Sequence, residues 1–183
     1  MRRSTWIVLV IFLALAGLLM YLNQRRSAAE EEEAAPTEAV EYLFNEAAGL
    51  PSSIDIEART GERVAIERNE AGEWVLKQPI ETEADQGSAE AAASQLSALR
   101  ILSRPQVAPE DAGLVDPSYT MTVKLTGGTE DVVRIGDLTP TGIGYYTNVD
   151  GRDEVLILDQ TGLEALLNLV TSPPYVETPT PIP

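Results

Sequence analysis

Any chemistry in this chain has to be done without histidine or cysteine, because neither occurs. That removes Ser-His-Asp triads, Cys-His pairs, thiolate zinc sites and imidazole bases. Carboxylate, Lys, Tyr and Ser chemistry remains, as does an all-oxygen calcium or magnesium site. The densest group of oxygens is Asn148, Asp150, Asp153 and Glu154. It lacks the spacing of an EF-hand loop, and Asp150-Gly151 already reads as a two-residue hairpin turn. Gly136-Asp137-Leu138-Thr139-Pro140-Thr141-Gly142-Ile143-Gly144 is the richest glycine loop. A phosphate loop needs lysine where Ile143 stands, so a strand connection is the better reading. Tyr145 and Tyr146 point to opposite faces of a strand, one toward the core and the other outward for contact. Paired carboxylates suited to glycosidic bonds must converge in space, and residue order alone does not reveal them. The sequence therefore assigns no catalytic residue, no cofactor-binding residue and no metal ligand, and a non-enzymatic role is expected.

The elements that would carry these residues read as α+β. Thr37 can cap a short helix on which Val40, Leu43, Phe44 and Ala47 follow i, i+3, i+4, i+7 spacing. Ile54, Ile56 and Ala58 alternate with charged residues; after Thr60-Gly61-Glu62, Val64 and Ile66 alternate again, and Trp74 to Lys77 makes a third strand stopped by Pro79. Ser88 to Ser103 then turns helical, with Ala92, Leu96, Leu99 and Leu102 along one side, Ser88 as N-cap and Pro105 beyond. The order recurs after Pro117: strands at Met121–Leu125, Val133–Ile135, Tyr145–Val149 and Val155–Leu158, then a helix capped by Asp159 with Leu163, Leu166, Leu167 and Val170 as its apolar stripe. Val155 to Leu158 is apolar on both faces, as a central strand should be. Strands and helices come in blocks, so a mostly antiparallel sheet with packed helices is expected, in two similar meander-plus-helix halves at 38–105 and 114–172.

Ahead of this domain, Trp6 to Leu22 is an unbroken apolar run between Arg2-Arg3 and Arg25-Arg26. As a helix it reaches roughly 26 Å, a little short of a hydrocarbon core of about 30 Å. Snorkelling arginines, with Trp6 and Tyr21 at the interfaces, suit a single-pass anchor. A cleaved signal peptide is the alternative, with Ser27-Ala28-Ala29 as its cleavage site, although that site follows Asn23, Gln24 and two arginines. Arginines are balanced across the run, and a short cytoplasmic tail with an exported domain is the commoner arrangement. The expected organisation is thus a basic-flanked anchor at 1–26, an acidic spacer at 27–37 built on Glu30–Glu33, an α+β domain at 38–172, and a Pro-rich tail at 173–183.

From Ser27 onward nine Lys and Arg face all twenty-nine Asp and Glu, a formal charge of −20. Such a surface repels nucleic acid and anionic headgroups, so only the anchor is expected to hold the membrane, and basic protein surfaces or cations fit best as partners.

Trp74-Val75-Leu76-Lys77-Gln78-Pro79, the leucine-rich stretch from Leu96 to Arg104, Gly113-Leu114-Val115-Asp116-Pro117, Ile135-Gly136 and Tyr145-Tyr146 together resemble a bacterial domain-of-unknown-function family catalogued under the number 4340. The likeness spans most of Asn45 to Val170. It implies a membrane-anchored envelope protein of a kind sometimes associated with ABC-transporter or gliding-motility components, and it supplies no catalytic residues. The functional expectation is a non-catalytic accessory or scaffold subunit of a bacterial membrane complex. An envelope ligand- or polymer-binding module and a carboxylate-based hydrolase are the alternatives.

Overall fold

The structure, a computed structural model, describes residues 40–44 and 49–176. The apolar run, its arginines, the acidic spacer, Thr37 and Ala47 lie outside the described residues, as does 177–183. Among the described residues no helix is long and apolar enough to cross a membrane.

From Glu41 onward the elements are β1 (Glu41–Tyr42), β2 (Pro51–Ala58), β3 (Arg63–Arg68), β4 (Trp74–Gln78), β5 (Thr82–Glu83), α1 (Gln86–Ser97), β6 (Arg100–Ser103), β7 (Tyr119–Leu125), β8 (Glu130–Leu138), β9 (Gly144–Val149), β10 (Leu156–Asp159) and α2 (Gln160–Thr171). The strands form one sheet in the order β1-β6-β10-β9-β8-β7-β2-β3-β4-β5. All neighbouring pairs are antiparallel. The class is α+β, a mostly antiparallel sheet with two helices among the described residues.

Alternation decides which side each strand buries. Ile54, Ile56, Val64, Ile66, Trp74 and Leu76 lie within 1 % of complete burial on the same side as Met121, Val123, Val133, Ile135, Leu156 and Leu158. Both helices close over that side: α1 through Ala89, Ala92, Ala93 and Leu96, α2 through Leu163, Leu166 and Leu167. The buried side of α1 is built mainly of alanines and that of α2 mainly of leucines.

Strand order reads alike outward from the centre. β2 and β7 pair with each other; β3 and β8, β4 and β9, and β5 and β10 then follow on either side. Each four-stranded meander ends in an aspartate that caps the following helix: Asp85 accepts from the Ser88 amide and Asp159 from the Gly162 amide. The fifth residue beyond each cap is a glutamate holding an aromatic ring of its own meander. Glu90 accepts from Trp74 Nε1 at 2.9 Å, and Glu164 accepts from the Tyr145 hydroxyl at 3.1 Å. Trp74 and Tyr145 are matching places, since Ala84 and Leu158, each just before its cap, bond or pair across to them.

Three expectations need correction. Glu41–Tyr42 is a strand on β6, not helix; Leu43 and Phe44 are buried because the Leu43 amide bonds to the Leu99 carbonyl at 2.8 Å, which places them on the core. The helix expected from Ser88 to Ser103 starts earlier, capped by Asp85, and stops at Ser97; Arg100–Ser103 is β6, drawn out by pairing of Ile101 with Leu158. The first meander has a fourth strand, β5, which folds back on Val75 and Leu76. Beyond α2 the chain stays attached: Tyr175 bridges to Ala84, and the Asp85 amide bonds to the Pro174 carbonyl at 2.8 Å.

Candidate functional site

The side of the sheet away from the helices differs between the two halves. Over β9 and β10 it is covered by the connection from Arg104 to Ser118. Ala112 and Leu114 in that connection bury against Val155, with Val107 and Tyr146 packed beside them. Tyr145 and Tyr146 do divide between the two faces, but neither is exposed: one meets α2 and the other lies under this connection. Burial, followed by the Glu164 bond, raises the Tyr145 hydroxyl above the usual range. Close approach is made possible by Gly136, where an added Cβ would stand 2.1 Å from the Ala112 carbonyl oxygen. The Asp137 amide bonds to that same carbonyl at 3.0 Å. Gly113, at φ 69°, turns the chain beside the Asp137 carboxylate.

Over β2, β3, β4 and β7 the corresponding side carries no covering segment among the described residues. Here the outward residues of each strand form a shallow trough of about 410 Å³, floored by Asp55, Ala65 and Thr122 and rimmed by charged groups. Register sets the arrangement as three rows across the sheet. Glu67, Ser53, Lys124 and Glu130 form one; Ala65, Asp55, Thr122 and Val132 the next; Arg63, Glu57, Thr120 and Arg134 the third. Arg63 holds Asp55 through two bonds of 2.8 and 2.6 Å, and that carboxylate raises the guanidinium pKa. Lys124 lies 3.8 Å from Glu130. Glu67 forms no ion pair among the described residues. Of the nine basic residues after Ser27, Arg63, Lys77, Lys124 and Arg134 belong to this side, so the face is nearly charge-balanced in a strongly acidic domain.

The groups that residue order singled out are used otherwise. Asn148 Nδ2 donates to the carbonyls of Arg152 and Glu154, Glu154 pairs with Arg104 at 3.0 Å, and Asp150 pairs with Arg134 at 2.7 Å. No cluster of three potential metal ligands occurs among the described residues. The glycine stretch from Gly136 to Gly144 runs from the end of β8 through the 139–143 connection to the first residue of β9; that last glycine sits where a Cβ would meet the Leu158 carbonyl oxygen at 2.2 Å. Trp74 is buried in the core with the Arg68 guanidinium 4.4 Å from its ring centroid. Among the described residues Glu41, Glu81, Asp85 and Glu90 have their carboxyl pKa lowered, by hydrogen bonds from Arg104, Lys77, Ser88 and Trp74 respectively. An acid catalyst needs the opposite shift.

What residue order missed was the unequal covering of the two halves. The signal was present as Gly136, which the close docking of backbone on backbone demands, and as Gly113, whose positive φ turns the chain against the Asp137 side chain. No curated protein and no solved structure matches the chain. A family model described as a domain of unknown function (DUF4340) matches residues 74–172, from the strand that begins at Trp74 to the end of α2. This chain belongs to that family.

Proposed function

We propose that the chain is a membrane-anchored, non-catalytic accessory or scaffold subunit of a bacterial membrane protein complex, acting through protein–protein contacts of an acidic extracytoplasmic domain. The observation that carries this reading is the uncovered, charge-balanced face of the first meander beside the covered face of the second. A face of alternating charges and hydroxyls suits a protein surface of matching pattern. It suits a saccharide polymer less well, since no aromatic ring lines the trough for a sugar to stack on. A carboxylate-based hydrolase finds no support in downward-shifted acids. Anchoring rests on the apolar run from Trp6 to Leu22 and its flanking arginines.

Crosslinking in native membranes, followed by mass spectrometry of what is captured, tests this. Stoichiometric membrane subunits crosslinked through residues of β2, β3 or β7 are expected. Recovery of the chain with no protein attached would overturn it.

A further inference from the structure

Building on the reading that the open face takes a protein partner, we propose that this partner is a second copy of the chain, docked face to face with its strands antiparallel to the first. The argument begins at the Asp55–Thr122 pair, the middle of the β2–β7 ladder. A half-turn about an axis through that pair, perpendicular to the sheet, carries β2 onto β7 and β3 onto β8. By register it carries Glu67 onto Arg134, Arg63 onto Glu130 and Glu57 onto Lys124. All three exchanges reverse the sign of charge. The face is therefore symmetric in backbone and, in its first and third rows, antisymmetric in charge; the central exchange of Asp55 with Thr122 is not, and Asp55 is neutralised there by Arg63 of its own chain.

That pattern selects one way of stacking two copies. Consider a two-fold axis lying between the faces and running across the strands along the Ala65–Asp55–Thr122–Val132 row. The first row of one copy then meets the third row of the other. Glu67 faces the second copy's Arg63, and Glu130 faces the second copy's Arg134. With both halves of the symmetric contact counted, four opposite-charge pairs form. An axis running along the strands instead sets Glu67 against Glu130 and Arg63 against Arg134, with like charges at every corner. The first arrangement is selected and the second rejected by the same residues. It is isologous, as two-fold interfaces are, and it is the aligned packing that two sheets ordinarily adopt. It also gives Glu67 a direct ion pair, which it does not form among the described residues, where Lys77 acts on it only from a distance. A small, largely polar face places such a dimer among weak and salt-sensitive associations.

Sedimentation velocity of the full chain in detergent, at low and at high salt, provides the test. Wild type is expected to dimerise at low salt and to dissociate as salt rises. Glu67→Lys alone, and Arg63→Glu alone, should each weaken the dimer roughly ten- to a hundred-fold, as close charge pairs at interfaces do. Mixing the two variants should restore a heterodimer, since each altered residue then faces its opposite. Should Arg63→Glu fail to fold because Asp55 loses its guanidinium, Glu130→Lys mixed with Arg134→Glu makes the same comparison. A chain that stays monomeric at low salt overturns the proposal. So does a dimer indifferent to these reversals, which would be held by the apolar run instead. If crosslinking still recovers other membrane subunits in either case, the accessory role stands and only the self-pairing falls.

Discussion

Substituting Gly136 by alanine should loosen the cover on the second half without unfolding the sheet beneath it. The added Cβ would stand 2.1 Å from the Ala112 carbonyl oxygen, and the neighbouring contacts at 3.0 and 3.1 Å are also backbone, so no flexible side chain can swing away. Relief requires the Arg104–Ser118 connection to lift by about 1 Å or more, because ordinary carbon–oxygen contact begins near 3.3 Å. Lifting stretches the Asp137–Ala112 bond, worth about 0.5–1.5 kcal/mol, and opens Leu114, whose full burial is worth about 1.5–3 kcal/mol. A loss of about 2–4 kcal/mol follows, which for a domain of this size lowers Tm by roughly 5–15 °C. Differential scanning calorimetry gives the total, and amide exchange gives the place: protection should fall at Asp137 and Leu114 while that of β2 and β3 is unchanged. A Tm within about 2 °C of wild type, with exchange at Asp137 unaltered, would refute the account of Gly136 as the docking point.

Two further outcomes are expected. Glu90 is held below the usual carboxylate range by the Trp74 indole N–H first and by Arg68 second, so its contribution to stability is full above the ordinary glutamate pKa and is lost as pH falls through its lowered folded value. Glu90→Gln should therefore narrow the gap to wild type in urea midpoint as pH drops into that acid range; a gap constant with pH would count against it. Removing the helix caps, Asp85→Ala and Asp159→Ala, should each cost about 0.5–2 kcal/mol in chemical denaturation. Asp159→Ala should cost the more, since Asp159 also pairs with Arg100 at 3.1 Å and is less exposed; equal or reversed losses would contradict that ordering.

Legibility followed the range of the forces involved. Ile54-x-Ile56, Val64-x-Ile66 and the Trp74 strand declared themselves because alternation is written within a few residues. Asp159 could be named as a cap for the same reason. In Asp85-Gln86-Gly87-Ser88 two caps compete, and the earlier oxygen wins by accepting from the later residue's amide. β6 was hidden because Leu96, Leu99 and Leu102 continue a helical stripe. Only the distant β10 draws Arg100–Ser103 into the sheet, a tertiary override of local spacing. Leu43 and Phe44 misled in the same way. Only Val107, Ala112 and Leu114 of the docked connection's apolar residues pack over Val155, and they follow no period, so this cover depends on geometry that appears only in the folded sheet.

The sheet ends on either side in a strand of two residues, Glu41–Tyr42 and Thr82–Glu83, each with a glutamate, and Tyr175 bridges the residue that follows the second. A wide antiparallel sheet normally invites further strands to add themselves laterally, which is how such sheets polymerise. Here a newcomer would find only two backbone steps to bond and a negative side chain at each, too short a template to hold a strand. Among the described residues both margins of the sheet are thus blunted against sideways growth, and the broad surfaces above and below its strands are what it offers.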